Sequence, residues 1–373
     1  MLYWISSYLT TLWGPFRLFS SHMMLLAAGT LTAGVVVWSF LPRLWNRLPT
    51  DKGKILAPDG GVLSIGKPTG AGLLMSLLIL PVLVLFVPMG LWEAGVVVCL
   101  YFCMLFGYLD DRSEKPWGEL KKGVLDLLVA LFAAGFLYLG QGSSLWLPFV
   151  KHAIEIPVYY YIPGAAMLLW FTMNATNCSD GVDGLAGSLT LLSLFALAGL
   201  LYGVVGYRPI ANYLLIPHNP DGARWAILVA TMAGALAGYL WHNAEPSRVL
   251  MGDAGSRLLG MLVGVAVLVA GHPFLIFVVS PVVLVNGGTG LFKLILLRGF
   301  RLIGFDVRPP SKLTPEAAAK QFALVKALHR IRFPLHDHCR KNMAWSNAQV
   351  LMRFVLIQSF LTPLLFVILV KIR

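Results

Sequence analysis

The sequence predicts an all-α protein that crosses a membrane many times. Hydrophobic residues make up 58% of its 373 residues and charged residues only 12%, and no soluble domain of this length could cover its surface with so few polar groups. Apolar stretches near the ~20 residues that span a bilayer recur along the chain. Because lipid offers the backbone no hydrogen-bond partners, these stretches are expected to be helices.

Ten apolar segments meet this length requirement, and each is expected to form one transmembrane helix. Very short joins at Gly90 and at 271–273 precede the third and the ninth segments. Between the fourth and fifth segments, residues 142–160 are predicted to form a short outer hairpin. The predicted spans are 22–41, 71–88, 91–109, 123–140, 161–177, 185–205, 225–242, 257–271, 273–297 and 349–370.

The distribution of basic residues orients these spans. Most of the 29 lysines and arginines fall in four loops, 42–69, 110–122, 243–257 and 298–348. Since loops rich in Lys and Arg stay in the cytosol, we expect these loops inside and both termini outside. The net charge of +12 fits this bias and an attraction to anionic membrane lipids, and it does not indicate nucleic-acid binding.

No internal repeat divides the chain, so a single transmembrane domain is expected over residues 1–373. The one long stretch outside the spans, 298–348, is predicted to be a cytosolic loop. Within it a helix is predicted at about 314–331, because Thr314 can cap a helix that has Pro315 at its first position.

Five of the 17 acidic residues lie at the ends of predicted spans. A carboxylate at the bilayer centre costs roughly 2.5 to 3.5 kcal/mol on insertion scales, so these residues are expected at the water boundary. The predicted topology places all of them on the cytosolic face, where they can converge on a cation and a phosphorylated substrate. They are Asp110, Asp111, Asp180, Asp183 and Asp253.

The pair Asp110 and Asp111 ends the third span. Adjacent carboxylates on a helix diverge by about 100°, so one can reach a metal or its water shell while the other faces a substrate. A solvated helix end paired with Arg112 or Lys115 is the alternative. An aspartate is unfavourable at a helix C-terminus, where the helix dipole prefers cations, and this favours a functional role.

Two further acidic blocks flank predicted spans. Asn177, Asp180 and Asp183 form an Asn-x-x-Asp-Gly-x-Asp-Gly loop that can hold a hard cation or hydrogen-bond a sugar or base. A simple turn is its alternative interpretation, since Asn, Asp and Gly favour turns. Asp253, just before the eighth span, can bind magnesium or can merely cap that helix.

Two basic segments complete the set. His336 and His338 lack a third ligand at zinc spacing, and the surrounding Arg and Lys residues favour phosphate recognition over a solvated basic loop. Lys67 and Thr69 open the second span in a glycine-rich segment, which is not a Walker loop because the lysine precedes the glycines. Carboxylates for magnesium, cations for phosphates and a membrane for a lipid substrate together indicate phosphoryl transfer.

The ordered motifs Pro-Thr-x-x-Gly, Asp-Asp, Asn-x-x-Asp-Gly-x-Asp-Gly-Leu-Ala, Met-Gly-Asp-x-Gly-Ser and Pro-Leu-His-x-His resemble those of the polyprenyl-phosphate N-acetylhexosamine-1-phosphate transferases. The resemblance extends from about residue 20 to the C-terminus. It implies ten spans with outer termini in a bacterial cytoplasmic (inner) membrane and an active site that faces the cytoplasm. A homodimer is left open.

By this resemblance Asp253 is the magnesium ligand, and Asp110, Asp111 and His336 are catalytic. The family usually has a third histidine where Asp337 stands and an aromatic residue where Leu250 stands. Substrate binding is implied for Lys67, Thr69, Lys122, Asn177, Asp180, Asp183, Asn243 and His338.

The motifs are most similar to the branch of the family that uses UDP-MurNAc-pentapeptide. They imply Mg2+-dependent transfer of phospho-MurNAc-pentapeptide to undecaprenyl phosphate, which gives lipid I and UMP in peptidoglycan biosynthesis. The nearest alternative is the sister activity with UDP-N-acetylglucosamine or another UDP-sugar. A lipid or solute transporter is an alternative of a different class, and it predicts acidic residues near the middle of broken spans.

Overall fold

Long α-helices that follow the predicted spans make up most of the chain. The computed structural model describes residues 1–51, 64–147, 150, 153–309, 313–314, 316 and 321–371. The helices are α1 (Leu2–Leu12), α2 (His22–Leu44), α3 (Ala71–Phe86), α4 (Leu91–Arg112), α5 (Glu119–Gln141), α6 (Val158–Ser179), α7 (Leu185–Leu200), α8 (Arg208–Tyr213), α9 (Gly222–Asn243), α10 (Gly252–Val269), α11 (Ile276–Val279), α12 (Pro281–Val283), α13 (Thr289–Leu302), α14 (Ala323–Arg330), α15 (Leu335–Asn342) and α16 (Asn347–Lys371). Short 3-10 helices occupy Gly14–Ser20, Trp45–Arg47 and Pro273–Leu275, and π-helical turns occupy Leu201–Val205 and Leu284–Gly288.

The lengths and composition of these helices make the chain an all-α polytopic membrane protein. Among the described residues, eight helical segments are long and apolar enough to cross a membrane. α3 is also apolar but has only 16 residues, and α6 has 22. Each predicted span except the ninth corresponds in position to one long helix.

The centre of the helix bundle is α10, which is buried along nearly its whole length from Ala254 to Val269. It packs against α3, α4 and α6. At its side, α2 and α9 approach closely because Gly34 faces the backbone of Gly234, and small residues let membrane helices pack backbone to backbone. The N-terminus of α10 therefore meets the ends of several other helices.

The prediction of one continuous ninth span over 273–297 is wrong. α11 ends at Val279, Ser280 adopts φ −132° and ψ 40°, and Pro281 starts a new helical segment. Proline has no backbone N–H to donate, so the helical hydrogen bonding is interrupted there. The hydroxyl of Ser193 lies 2.7 Å from the carbonyl oxygen of Val279 and compensates part of this loss in an apolar environment.

The predicted hairpin within 142–160 is confirmed. β1 (Ser144–Leu145) pairs antiparallel with β2 (Ile154–Glu155). The short helix α1, which the sequence interpretation missed, has too few residues to span a bilayer.

The predicted helix over 314–331 is wrong in its bounds. Gln321 and Phe322 are not helical, and α14 begins only at Ala323. Phe322 has φ −56° and ψ 130°, which ends any helix from the N-terminal side. Most of the first half of the predicted helix lies outside the described residues.

Candidate active site

A cavity of about 310 Å3 lies where several helix ends meet. The C-terminal ends of α4 and α9 and the N-terminal ends of α3, α5 and α10 surround it, together with the loop between α6 and α7. Helices that alternate in direction present these ends on one side of the bundle. The predicted site residues that line the cavity are Thr69, Asp110, Asp111, Lys122, Asp180, Asp183, Asn243 and Asp253.

Lys122 joins two of the predicted carboxylates. Its ammonium group forms an ion pair with Asp110 and lies 3.2 Å from Oδ2 of Asp253. The other oxygen of Asp110 accepts the backbone N–H of Trp117 at 2.7 Å. Asp110 is therefore not the solvated helix end that was the alternative interpretation, because its carboxylate is buried and paired across helices.

Asp111 points away from Asp110 and holds the start of α10. Its two oxygens accept the backbone N–H groups of Asp253 at 3.0 Å and Ala254 at 3.1 Å. The exposed N–H groups and the positive dipole end of a helix N-terminus stabilise such a carboxylate. Asp111 thus provides side-chain acceptors for the first N–H groups of α10, whereas Asp253 lies inside the first turn of that helix and its N-cap position is Met251.

The backbone of α10 lies in direct contact with α4 and α3 at the cavity. A Cβ atom on Gly107 would lie 2.5 Å from the carbonyl oxygen of Asp253, and a Cβ on Gly72 would lie 2.2 Å from the nitrogen of Gly255. Only glycine permits this approach. The two glycines therefore set how close Asp253 lies to the carboxylates at the end of α4.

Beneath the cavity, Arg257 links Asp253 to a buried acidic residue. Its Nη2 lies 2.9 Å from Oδ2 of Asp253 and its Nη1 lies 3.1 Å from Oδ1 of Asp126. Asn174 donates to the other oxygen of Asp126 at 3.3 Å. One oxygen of Asp253 therefore contacts two cationic side chains, a partly exposed lysine and a buried arginine.

The loop that carries Asp180 and Asp183 forms another part of the cavity wall. Oδ2 of Asp183 lies 3.5 Å from Nζ of Lys67 and accepts the backbone N–H of Ser247 at 3.1 Å. Lys67 also donates to the hydroxyl of Ser247 at 2.9 Å. These contacts tie together three loops that are remote in sequence.

Asn243 and Asn177 support this wall through backbone and side-chain contacts. The side chain of Asn243 accepts the N–H of Gly184 at 2.8 Å and donates to the carbonyl oxygen of Val249 at 2.8 Å. Oδ1 of Asn177 accepts the hydroxyl of Ser256 at 3.0 Å. Asn177 connects α6 to α10 and does not line the cavity.

The two predicted histidines lie in different surroundings on α15. His336 is buried against Gly181, and its backbone N–H and Nδ1 lie 2.9 and 3.1 Å from Oδ1 of Asn286. His338 accepts the backbone N–H of Arg332 at 3.4 Å. His336 therefore contacts the loop that carries Asp180 at Gly181. His338 contacts its own loop and does not line the cavity.

Comparison with known proteins places the chain in a family. Residues 94–271 match Glycosyl transferase family 4. A phospho-N-acetylmuramoyl-pentapeptide-transferase of Treponema pallidum (strain Nichols) is 42% identical over 373 residues, which cover 99% of this chain and 96% of the relative. The chain belongs to the phospho-N-acetylmuramoyl-pentapeptide transferase family. The protein of the same name from Bartonella quintana (strain Toulouse) is 30% identical over 351 residues and 90% of both chains.

Membership in the phospho-N-acetylmuramoyl-pentapeptide transferase family confirms the motif resemblance and makes the protein a transferase. Leu250 lines the cavity where an aromatic residue was expected from the family pattern. Its backbone N–H donates to the carbonyl oxygen of Pro68 at 2.8 Å, so the loop before α10 is anchored to the loop before α3.

Two residues of the site were missed in the sequence. Asp126 lies inside the fourth predicted span and Arg257 at the start of the eighth. An acidic and a basic residue within apolar spans are expected to pair, because an isolated charge in the membrane is costly. That signal was present, but it does not say that the arginine also reaches Asp253.

Proposed function

We propose that this transferase moves phospho-MurNAc-pentapeptide from UDP-MurNAc-pentapeptide to undecaprenyl phosphate and so forms lipid I and UMP in peptidoglycan biosynthesis. The observation that carries the proposal is the cavity in which Asp110 and Asp253 share Lys122 and which the loop of Asp180 and Asp183 also lines. The sugar and peptide of the proposal come from the names of the relatives from Treponema pallidum and Bartonella quintana.

The donor set fits a magnesium ion that is completed by water and substrate phosphate. Among the described residues, no three His, Cys, Asp or Glu side chains form a closed metal site. Mg2+ is usually held by one or two carboxylates together with phosphate oxygens, and Asp253 and Asp110 offer such carboxylates beside Lys122. When bound, the ion would neutralise charge on the phosphoryl group and polarise its oxygens.

The chain's own residues position and neutralise the reacting groups. Lys122 is partly exposed on a flexible stem, so its ammonium group can turn from the carboxylates to an incoming phosphate. Asp111 fixes the start of α10, and with it the backbone that carries Asp253. In this proposal Asp180, Asp183 and Lys67 bind the sugar nucleotide.

His336 acts in this proposal through the loop of Asp180. Its ring lies so close to Gly181 that a Cβ there would meet Nε2 at 2.1 Å. His336 therefore fixes the position of the loop that carries Asp180. Thr69, buried at the cavity edge, and His338, in the cytoplasmic loop outside the cavity, are proposed substrate contacts.

The proposed setting is the bacterial cytoplasmic (inner) membrane, with ten spans over a single domain of residues 1–373 and both termini outside. The cavity then faces the cytoplasm, with 298–348 as a cytoplasmic loop, because the loops on that side carry most of the lysines and arginines. Membrane lipids contact the apolar outer faces. A homodimer is proposed as the assembly, and light scattering of the detergent-purified protein tests it.

The nearest alternative is the use of UDP-N-acetylglucosamine or another UDP-sugar. Leu250 in place of an aromatic residue leaves the same reaction chemistry with a different contact to the base. A transporter is disfavoured, because the acidic residues that line the cavity lie at helix ends or in loops and not along a path through the bundle.

The experiment is a release assay with the purified protein in detergent. UDP-MurNAc-pentapeptide, UDP-N-acetylglucosamine and UDP-glucose are each incubated with undecaprenyl phosphate and Mg2+, and UMP is measured. We expect UMP only with the first donor and only when the lipid phosphate is present. UMP release from a different donor alone would replace the substrate assignment, and no release with any donor would contradict the proposed reaction.

A further inference from the structure

The buried pair of Arg257 and Asp126 has a geometry that a simple structural ion pair does not require. The side chains of Arg257 and Asp126 are 2% and 1% exposed. Arg257 nevertheless reaches up one helical turn to Asp253, which lines the cavity. Its planar guanidinium group contacts both carboxylates with two different nitrogens.

A purely stabilising role does not account for these charges. Burying an ion pair costs desolvation that its attraction often fails to offset, and apolar side chains of similar volume frequently stabilise a core equally well. Arg257 is also incompletely satisfied, because its Nε has no hydrogen-bond partner among the residues that the structure describes. What the pair adds is a fixed donor at 2.9 Å from Oδ2 of Asp253.

The charges around Asp253 allow the orienting contact of Arg257 to be tested without changing the net charge of the site. Four carboxylates (Asp110, Asp111, Asp126 and Asp253) and two cations (Lys122 and Arg257) form one connected cluster, so when all are ionised its net charge is −2. That charge matches one divalent cation. Arg257 and Asp126 cancel each other, so their joint removal leaves the net charge unchanged while it removes the contact that orients Asp253 and the hydrogen bond from Asn174 to Asp126.

The two cations on Asp253 differ in freedom. Lys122 is 21% exposed and is shared with Asp110, so it can leave Asp253 when a phosphate enters the cavity. Arg257 is held between two carboxylates in the protein interior and cannot follow the substrate. After Lys122 has turned away, Arg257 is the contact that still holds the Asp253 side chain.

We propose that Arg257 and Asp126 are positioning residues that hold the carboxylate of Asp253 in the orientation that receives a divalent cation. The inference rests on the proposed function, in which Asp253 is the magnesium ligand. Asp126 has two parts in it: it neutralises the arginine, which would otherwise repel the metal, and it anchors the guanidinium plane with the help of Asn174.

The decisive variant is the double substitution Arg257→Met and Asp126→Leu. Binding of Mn2+ to the purified full-length protein is measured by electron paramagnetic resonance with UMP present, and Mg2+ is used as the competitor. We expect the apparent metal affinity to fall about 10- to 100-fold, as when partners that orient metal ligands are lost. The melting temperature should stay near that of the wild type, because no buried charge is left unpaired.

Two further variants keep the result interpretable. Arg257→Lys retains the charge but offers one nitrogen where arginine uses two. This variant should fold, and its affinity for Mn2+ should be lower than that of the wild type. It decides the question if the double variant does not fold. Glu93→Leu with Arg224→Met removes an ion pair at the opposite end of α4 and should leave metal affinity unchanged. In the release assay, excess Mg2+ should partly restore turnover of the Arg257 variants only.

Metal binding as tight as in the wild type, in the double variant or in Arg257→Lys, would overturn the inference and leave Arg257 as a partner of Asp126 alone. A wild-type protein that binds no Mn2+ and releases no UMP would instead contradict the proposed function. The two failures are therefore distinguishable.

Discussion

The substitution Gly107→Ala tests whether the contact between α4 and α10 sets the position of Asp253. A new Cβ would lie 2.5 Å from the carbonyl oxygen of Asp253 and 2.6 Å from its carbonyl carbon. Ordinary contact begins near 3.4 Å, so the start of α10 must move by about 0.9 Å, and a misplacement of about 1 Å can cost on the order of 100-fold in rate. Because the obstacle is backbone, side-chain rotation cannot relieve it.

We therefore expect kcat for UMP release to fall about 100-fold, with a smaller change in KM for the UDP-sugar, since the wall formed by Asp180 and Asp183 is not displaced. Overpacking of this kind costs about 1–3 kcal/mol of stability, so the protein should still fold with a lower melting temperature. Steady-state release kinetics and thermal unfolding in detergent measure both effects.

The matched control is Gly135→Ala in α5, where a Cβ meets no atom of another described segment within 4 Å. This helical alanine should leave kcat unchanged. The reasoning is refuted if Gly107→Ala turns over at the wild-type rate, or if Gly135→Ala loses as much activity as Gly107→Ala, because the loss would then not arise from the contact with Asp253.

The remaining predictions concern the metal, the proton and the topology. Asp253→Asn should nearly abolish UMP release. EDTA should abolish the activity of the wild type, and added Mg2+ should restore it. Full activity of the variant in Mg2+ would contradict the metal assignment. Asp110→Asn should lose a similar, large fraction of activity at pH 5.5 and pH 8.5, because Asp110 is engaged by Lys122 and the Trp117 N–H. The lipid phosphate has a second pKa near 6 and is mostly dianionic above it, so a general base would matter only in acid; strong recovery of the variant at pH 8.5 would reinstate that role. Single cysteines at Gly118 and Gly142 in a cysteine-free background should be labelled from the cytosolic and the outer side respectively; labelling of both from one side would contradict the topology.

The helices and the identity of most cavity residues follow from the sequence. The apolar segments predict long helices because the hydrocarbon core demands internally bonded backbone of a given length, a demand that each segment meets or fails by itself. The convergence of Asp110, Asp183 and Asp253 follows from counting helices between them, since an even number of crossings returns the chain to the same side. Local composition is sufficient for both conclusions.

The partners of these residues depend on the tertiary structure. Lys122 and Asp253 are 131 residues apart, as are Asp126 and Arg257, and no periodicity links such positions. Asp111 caps a helix that begins 141 residues later, because only packing brings an oxygen acceptor to those N–H groups. Which charge faces which depends on rotation and spacing of whole helices, and these are set by close contacts such as that of Gly107 with α10. The sequence alone therefore determines which chemical groups reach the same side of the helix bundle, and the packing of the helices decides how those groups are paired.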